Sequence, residues 1–324
     1  MSVALLLPDR VADEVDGLRR AFGADVDYIA PHITVIPPVN IDEAGLSDSL
    51  RVMRGAASSI VGPLRLRLGP LDTFLPRNPV IYLAVGGDTD VLGRLRSALG
   101  HGSFDRPDPH AYVPHVTLSR GHSPTDDASL RRLLSRYERT VEIDRLHLLV
   151  QVVPEGGRRH WVPSADVVFE PRRVIGTGGT ELELTLSELA DPDARRFLAE
   201  NDWLAPVPLP LPPWRSVWVV GRSEGRVVGV AWGAQAGRGA TLEGVFVAAE
   251  ARRQGVGNHL VAALEHDVAR HGGAVVEAAV SADHPVAASL LARGWTERPG
   301  PGGSRLWRAL GPDDLGSAGP MGAR

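Results

Sequence analysis

Two short stretches carry side chains able to do acid–base chemistry. Pro31-His32-Ile33-Thr34-Val35 and Pro114-His115-Val116-Thr117-Leu118 follow one pattern: proline, histidine, aliphatic, threonine, aliphatic. Along a strand the side chains alternate between faces, so each His-x-Thr places an imidazole and a hydroxyl together and turns its aliphatic residues toward a core. The proline before each histidine suits a strand start, where its missing N–H costs little. Two such strands side by side would make a paired site. Histidine titrates near pH ~6.5, so one neutral imidazole can take a proton while a protonated partner donates one. In-line displacement at phosphorus needs that pair, a base on the attacking oxygen and an acid on the leaving oxygen. The Thr34 and Thr117 hydroxyls can hydrogen-bond the non-bridging phosphate oxygens. No metal is required, and two histidines without nearby carboxylates or thiolates make a poor zinc set. Which histidine is the base and which the acid stays open at this level.

The elements that would position these residues can be read from periodicity. Val3–Leu7 predicts a first strand, and Val11, Val15, Leu18 and Phe22 recur at helical spacing until Gly23. The first His-x-Thr strand follows, closed by Pro37-Pro38. A helix is predicted from about Asp42 to Ser59, an alternating strand over Leu64–Leu68, a buried strand over Val80–Val85 and a helix over Asp90–Leu99. The second motif strand spans Val113–Leu118, Ser129–Arg136 reads as helix, and Val141–Val150 pairs with Trp161–Phe169 around Glu155-Gly156-Gly157. This order predicts a two-lobed α+β domain, each lobe giving one motif strand to a central cleft. His101, His110, His122, His147 and His160 read as loop or surface residues, with His110 and His122 as further candidates to line the cleft. Arg77 and Arg120 read as surface charges within reach of a phosphate.

The paired motifs resemble those of the 2H phosphoesterase superfamily, the 2′-5′ RNA ligase-like and cyclic phosphodiesterase proteins. The resemblance covers roughly residues 1–170. It implies that His32 and His115 open a 2′,3′-cyclic phosphate or a related nucleotide or RNA-end phosphodiester, and it supports the two-lobed architecture.

Around Pro171-Arg172-Arg173 the pattern restarts, and Gly176–Gly179 is a glycine-rich punctuation. Thr180–Leu186 alternates as a new strand, Ser187–Pro192 opens a helix through Leu198, and Ala205–Pro213 is too rich in proline for a helix. Ser216–Gly221 and Val227–Trp232 predict a hairpin around Glu224-Gly225. Leu242–Val247 is a strand, and Arg252-Arg253-Gln254-Gly255-Val256-Gly257 leads into a helix over Asn258–Arg270. Strand, glycine turn and helix start together make an anion site, where backbone N–H groups and the helix dipole converge.

Arg-x-x-Gly-x-Gly at 252–257 resembles the pyrophosphate loop of the GNAT acyltransferases, and the likeness extends over about 175–310. It takes in Val275–Val280 as the next strand and Ala287–Trp295 as the segment that ends in Gly-Phe in that family. The resemblance implies acetyl-CoA as cofactor, held by Arg252, Arg253, Gln254, Gly255, Val256 and Gly257. The backbone of Val245, Phe246 and Val247 would pair with the pantetheine arm, and Glu243 would be the base toward an acceptor amine. Leu290 stands where the family often has a tyrosine acid, and Asp283 where asparagine is common.

The expected organisation is a 2H phosphoesterase domain over 1–171, a mixed α/β GNAT domain over 172–310 and a disordered tail over 311–324. The chain has 324 residues and net charge −4, so its overall charge gives no footprint for nucleic acid. It has no cysteine, which excludes disulfides, thiolate metal sites and cysteine nucleophiles. All its basic residues are arginine, so Schiff-base lysine chemistry is excluded too. The short apolar opening and the lack of any run of about 20 apolar residues predict a cytoplasmic protein without a membrane span; no stable protein partner is implied. The expected function is a bifunctional enzyme. Its alternatives are an acyltransferase whose 2H domain only binds a phosphorylated ligand, and a coenzyme-A-sensing GNAT domain beside an active phosphoesterase.

Overall fold

The computed structural model describes residues 1–42, 45–106, 110–120, 132, 134–154, 156–169, 171–177, 179–201, 203, 214–280, 286–300 and 303–311. The readings made at His122, Asp283, 205–213 and 312–324 lie outside them, as does half of the helix expected over 129–136. Backbone contacts divide the chain into two compact units, Met1–Glu170 and Pro171–Arg324.

The first unit is one antiparallel sheet with helices α1 (Asp9–Ala21), α2 (Leu46–Ala57) and α3 (Thr89–Leu99). Its strands are β1 (Ser2–Leu6), β2 (His32–Ile36), β3 (Leu64–Thr73), β4 (Val80–Gly87), β5 (His115–Arg120), β6 (Arg139–Ile143), β7 (Arg145–Val152) and β8 (His160–Val168). Their spatial order is β6-β3-β4-β5-β2-β1-β7-β8. Two four-stranded lobes meet at β5 and β2, joined by the ladder pair Ile33↔Val116. Ile33, Val35, Val116 and Leu118 are fully buried, or nearly so, in a core shared with Val15 of α1, Leu50 and Met53 of α2, and Leu92 and Leu95 of α3. The helices thus cover the aliphatic face, and the His-x-Thr side chains take the other.

Charge placement favours α1, with Asp9 in its first turn and Arg19 and Arg20 in its last, each opposing the local end of the helix dipole. Gly23 follows at φ 69°, a conformation that suits glycine. The second helix starts later than its periodicity suggests, because the Asp42 carboxylate accepts from the Gly45 N–H at 2.9 Å and closes a turn ahead of it. The span expected as one strand over Val141–Val150 breaks at Asp144. Val141 sits on β6 at one edge of the sheet, and only β7 forms the hairpin with β8. His147 is no loop residue: it lies on β7 between Ala4 of β1 and Asp166 of β8.

The second unit adds β9 (Arg172–Ile175), β10 (Glu181–Ser187), β11 (Arg215–Ser223), β12 (Arg226–Ala236), β13 (Gly239–Val247), β14 (Val275–Ala278), β15 (Thr296–Gly300) and β16 (Gly303–Ala309). Its helices are α4 (Pro192–Glu200), α5 (Val256–Arg270) and α6 (Ala287–Ala292). The order is β15-β16-β14-β13-β12-β11-β10-β9, antiparallel except for β13 with β14. That parallel pair needs a crossover, and α5 supplies it. α5 packs Leu260, Leu264 and Val268 on one sheet face, while α4 packs Ala194 and Leu198 against Trp218 and Trp232 on the other. α4 begins at Pro192 rather than Ser187, where Asp191 caps it by accepting from the Asp193 and Ala194 N–H groups. Strand β9 was not anticipated from the sequence; it pairs with β10 where a plain junction was expected. The α+β and mixed α/β architectures expected of the two halves are those observed.

A buried cluster ties the far side of this unit together. The Glu265 carboxylate, 2% exposed, accepts from the Trp295 indole at 2.7 Å and pairs with Arg293 and Arg308. Among the described residues no helix is long and apolar enough to cross a membrane.

Candidate functional sites

The single pair Ile33↔Val116 decides the first site. Antiparallel register about it sets His32 across from Thr117 and Thr34 across from His115, all on the face away from the helices. The strands are held from behind. The Tyr112 hydroxyl donates to the Thr34 carbonyl at 3.1 Å, and the Arg96 guanidinium lies 4.6 Å from the Tyr112 ring centre and donates to the Val35 carbonyl. On the other motif strand, the Ser119 hydroxyl donates to the Phe22 carbonyl at 3.3 Å.

Both imidazoles are oriented alike. His32 Nδ1 lies 2.7 Å from the Ala30 carbonyl, and His115 Nδ1 lies 2.8 Å from the Val113 carbonyl. A carbonyl oxygen only accepts, so Nδ1 carries the proton in both rings. Nε2 is left as the atom that takes or gives a proton. Burial pushes the His32 pKa down to about 4, with Arg19, Arg120 and His115 adding to the shift and the Ala30 bond opposing it. Burial also lowers His115, with Arg120 adding and the Val113 bond opposing.

A cleft of about 340 Å³ opens over these strands. His32, Thr34 and Thr117 line it, and Arg19 and Arg120 bring positive charge to it. Arg19 is buried and salt-bridged to Asp16 at 2.7 Å, whereas Arg120 is exposed at the end of β5. Tyr28 and Trp161 form part of the wall. The Trp161 indole donates to the Tyr28 hydroxyl at 3.2 Å, and the Trp161 N–H donates to the Tyr28 carbonyl at 2.8 Å. His115 turns toward an aromatic flank, its ring centre 5.0 Å from Phe74 and 5.2 Å from Tyr82. Arg77 and His110 are exposed and do not line the cleft. Reading the sequence had missed Arg19, which looks like an ordinary helix-end cation, and Tyr28, Phe74 and Trp161, which carry no local signature. Among the described residues no three His, Asp or Glu side chains converge on a metal-sized space.

The second site is built from main chain. Pairing of β13 with β14 ends at Leu242↔Ala278, so Val245, Phe246 and Val247 continue on β12 alone, with their other edge facing away from it. Gly255, at φ 76°, starts α5, and no side chain caps that helix, so its first-turn N–H groups stay available to an anion. Arg252 Nε donates to the Val247 carbonyl at 3.0 Å and ties the loop to the strand end. Arg253 sits at φ 63°, and Gln254 is gripped by the turn before β10. Its carbonyl accepts from the Thr177 N–H at 2.8 Å, and its side-chain oxygen accepts from Thr180 at 2.5 Å. Val256 is buried under the helix, while Gly257 keeps the strand side open, with Val247 3.7 Å from where a Cβ would lie. An open strand edge running to an uncapped, arginine-flanked helix start suits a long ligand with a charged pyrophosphate, and the residues fit coenzyme A.

Glu243 needs a correction. Two-residue spacing in a regular strand would set it on one face with Val245. Register jumps from Trp232↔Gly244 to Gly233↔Leu242, leaving Glu243 as the extra residue of a bulge. Leu242 and Val245 both pack into the α5-side core, so the alternation is broken between them. Gly244 faces Trp232, where a Cβ would meet the indole at 2.1 Å. Burial raises the Glu243 pKa, the direction a proton acceptor near neutral pH requires. Leu290 is 1% exposed within the α5-side core. All four tyrosines of the chain precede residue 171, so none can serve as acid from the second unit.

Comparison with known proteins agrees with this division. Residues 7–154 match the family model of the 2′-5′ RNA ligase superfamily, and residues 183–295 match that of the Acetyltransferase (GNAT) family. Over 154 residues the chain is 28% identical to a Bacillus cereus (strain AH820) protein named "Putative phosphoesterase", covering 47% of this chain and 88% of that one. Escherichia coli LigT, solved with 3′-AMP, is 17% identical and covers 52% of this chain and 96% of its own, at TM-score 0.38. The PaiA N-acetyltransferase of Thermoplasma acidophilum, solved with coenzyme A, is 12% identical and covers 29% and 60%, at TM-score 0.27.

Proposed function

Because the chain joins a 2H phosphoesterase domain of the 2′-5′ RNA ligase superfamily to a GNAT domain, we propose that it is bifunctional. The domain over 1–171 cleaves a 2′,3′-cyclic or related nucleotide or RNA-end phosphodiester, and the domain over 172–310 moves an acetyl group from acetyl-CoA to an amine. The observation that carries the first activity is the two-fold juxtaposition of His-x-Thr strands, each imidazole fixed through Nδ1 and free at Nε2. One imidazole takes the proton of the attacking water, and the other protonates the ribose oxygen that leaves. Thr34 and Thr117 hold the non-bridging oxygens, with Arg120 beside them to balance the phosphate charge. Tyr28 and Trp161 offer ring surface to a nucleobase at the cleft wall.

In the second domain, acetyl-CoA supplies the activated acyl group. The first-turn N–H groups of α5, with Arg252, Arg253, Gln254, Gly255, Val256 and Gly257 around them, hold its pyrophosphate. The outer edge of Val245, Phe246 and Val247 holds its pantetheine arm, and Glu243 takes the proton of the acceptor amine. A second reading rests on Leu290 and the absence of tyrosine from this half: the domain binds coenzyme A as a sensor and does not turn it over. Purified protein incubated with a panel of 2′,3′-cyclic nucleotides and cyclic-phosphate-ended oligonucleotides tests the first activity, with His115→Ala as control. Cleavage that the variant lacks supports an enzyme; binding without cleavage supports a phosphate-binding module. Acetyl transfer to a panel of amines tests the second activity, and protection by acetyl-CoA with no transfer supports the sensor.

A further inference from the structure

The start of the second unit lies against the loop that opens α5. After β9 the chain turns back into β10, the Gly176 N–H donating to the Thr180 carbonyl at 2.8 Å and the Gly179 N–H to the Gly176 carbonyl at 3.1 Å. From this turn the Thr177 N–H donates to the Gln254 carbonyl at 2.8 Å, and the Thr180 hydroxyl donates to Gln254 Oε1 at 2.5 Å. Gly176 packs so closely that a Cβ there would stand 2.5 Å from the Gln254 carbonyl oxygen. In the first turn of α5 the His259 ring hydrogen-bonds the Ile175 backbone.

The loop needs this outside support. Arg253 and Gly255 both take positive φ, 63° and 76°, on either side of Gln254. An arginine resists that conformation, so contacts from beyond the loop must hold it. Gln254 makes three: two with the turn, and one in which its side-chain Nε2 donates to the Glu250 carbonyl at 3.0 Å.

The Thr177 bond also fixes the polarity of the loop. The Gln254–Gly255 peptide is trans, so its C=O and N–H point in opposite directions. With the oxygen bound to Thr177, the Gly255 N–H is directed away from the junction turn. A flip of this peptide would put a carbonyl oxygen where that donor stands, and an oxygen there repels an anion that the N–H would attract.

We propose that the turn over 175–180 belongs to the coenzyme site: through Gly176, Thr177 and Thr180 it positions the Gln254–Gly255 peptide with its N–H, and not its carbonyl, toward the pyrophosphate. This rests on the coenzyme reading above. Linkage is reciprocal, so coenzyme A on the loop must in turn hold the turn and β9 in place. β9 is the edge strand of its sheet, paired with β10, and it begins at Arg172, two residues after the first unit ends at Glu170. Coenzyme occupancy is thereby felt at the point of the chain where one unit gives way to the other.

Two measurements on the full chain test this role. The first is the Kd of coenzyme A by titration calorimetry. Gly176→Ala forces the Gln254 carbonyl to move and should raise Kd roughly tenfold or more. Thr180→Val removes the hydroxyl that grips the Gln254 side chain and should raise it roughly threefold to tenfold, whereas Thr180→Ser keeps the hydroxyl and the affinity. The second follows hydrogen exchange of the Thr177 amide and trypsin cleavage after the exposed Arg173. Coenzyme A at 100 times its Kd should slow both by up to about 100-fold. Pantetheine, which has the arm without the pyrophosphate, should slow neither. Wild-type affinity in either folded variant, a Thr180→Ser as weak as Thr180→Val, or equal protection by pantetheine overturns the proposal. Coenzyme A binding that leaves Thr177 and Arg173 unchanged also overturns it while sparing the coenzyme reading. If wild-type protein binds no coenzyme A, the coenzyme reading fails and the role of the turn falls with it.

Discussion

The two halves of this chain build their sites from different material. In the first, the working atoms are side chains, and the backbone serves to bring two strands into register so that imidazoles and hydroxyls share one face. In the second, the atoms that would hold the ligand are mostly backbone: an open strand edge at Val245–Val247 and the uncapped start of α5. A side-chain site loses its function when one side chain is removed. A main-chain site tolerates many side-chain changes and fails when the backbone can no longer take its shape.

The largest effect should therefore come from the histidines. His32→Ala and His115→Ala are each expected to lower phosphodiester turnover by roughly 10²–10⁴-fold with the fold intact by circular dichroism. A loss of less than tenfold in either would mean the site does not use paired acid–base chemistry. The matching test in the other half is Gly255→Val. The position sits at φ 76°, and a Cβ there would stand 3.3 Å from the Thr177 hydroxyl, so a β-branched residue strains the loop. Acetyl-CoA at 100 times its Kd should stabilise wild-type protein by about 2.7 kcal/mol in a thermal-shift assay. That protection should vanish in the variant, while phosphodiester cleavage is unchanged. Retained protection would count against the loop as the pyrophosphate site.

A smaller effect should follow from the cleft wall. Stacking of a base on an aromatic ring contributes roughly 1–3 kcal/mol, so Trp161→Ala or Tyr28→Ala should raise KM for a nucleotide substrate about tenfold or more. KM for a phosphodiester without a base should hardly change. If both substrates suffer alike, the rings support the fold rather than the ligand.

A different kind of effect is a pH dependence. His32 is held near a pKa of about 4, well below its value of about 6.5 in an unfolded chain. Between those values the unfolded state binds the proton that the folded state refuses, so stability falls as pH drops from about 6.5 to about 4. His32→Gln should flatten that part of a denaturation-midpoint profile. An unaltered profile in the variant would show that His32 is not held neutral by its site.

Much of this is legible in the sequence. The twofold His-x-Thr pattern works because strand side chains repeat every two residues, so spacing alone places His32 with Thr34 and His115 with Thr117. The Arg252–Gly257 stretch works for a related reason: glycines before a helix report a backbone need. Gly244 carried a fainter signal, since a lone glycine inside a strand pattern often marks a bulge. The bulge there takes Glu243 off the face of Val245. Other features had no local signal. Tyr28 precedes the first motif as an ordinary loop aromatic, Arg19 reads as a helix-end charge, and β9 hides in what looks like a junction.

By itself, then, the sequence pointed to residues able to do chemistry, to most of the elements that carry them and to two halves of different kinds. Those are local properties, set by side-chain type and by the periods of helix and strand. Only the tertiary structure decided that Ile33 pairs with Val116, that Arg19 stands by His32 while Phe74 and Tyr82 flank His115, and that β14 leaves β13 at Leu242. Each depends on contacts between residues far apart in the chain, and the sheet order that brings them together is a property of the whole packed core.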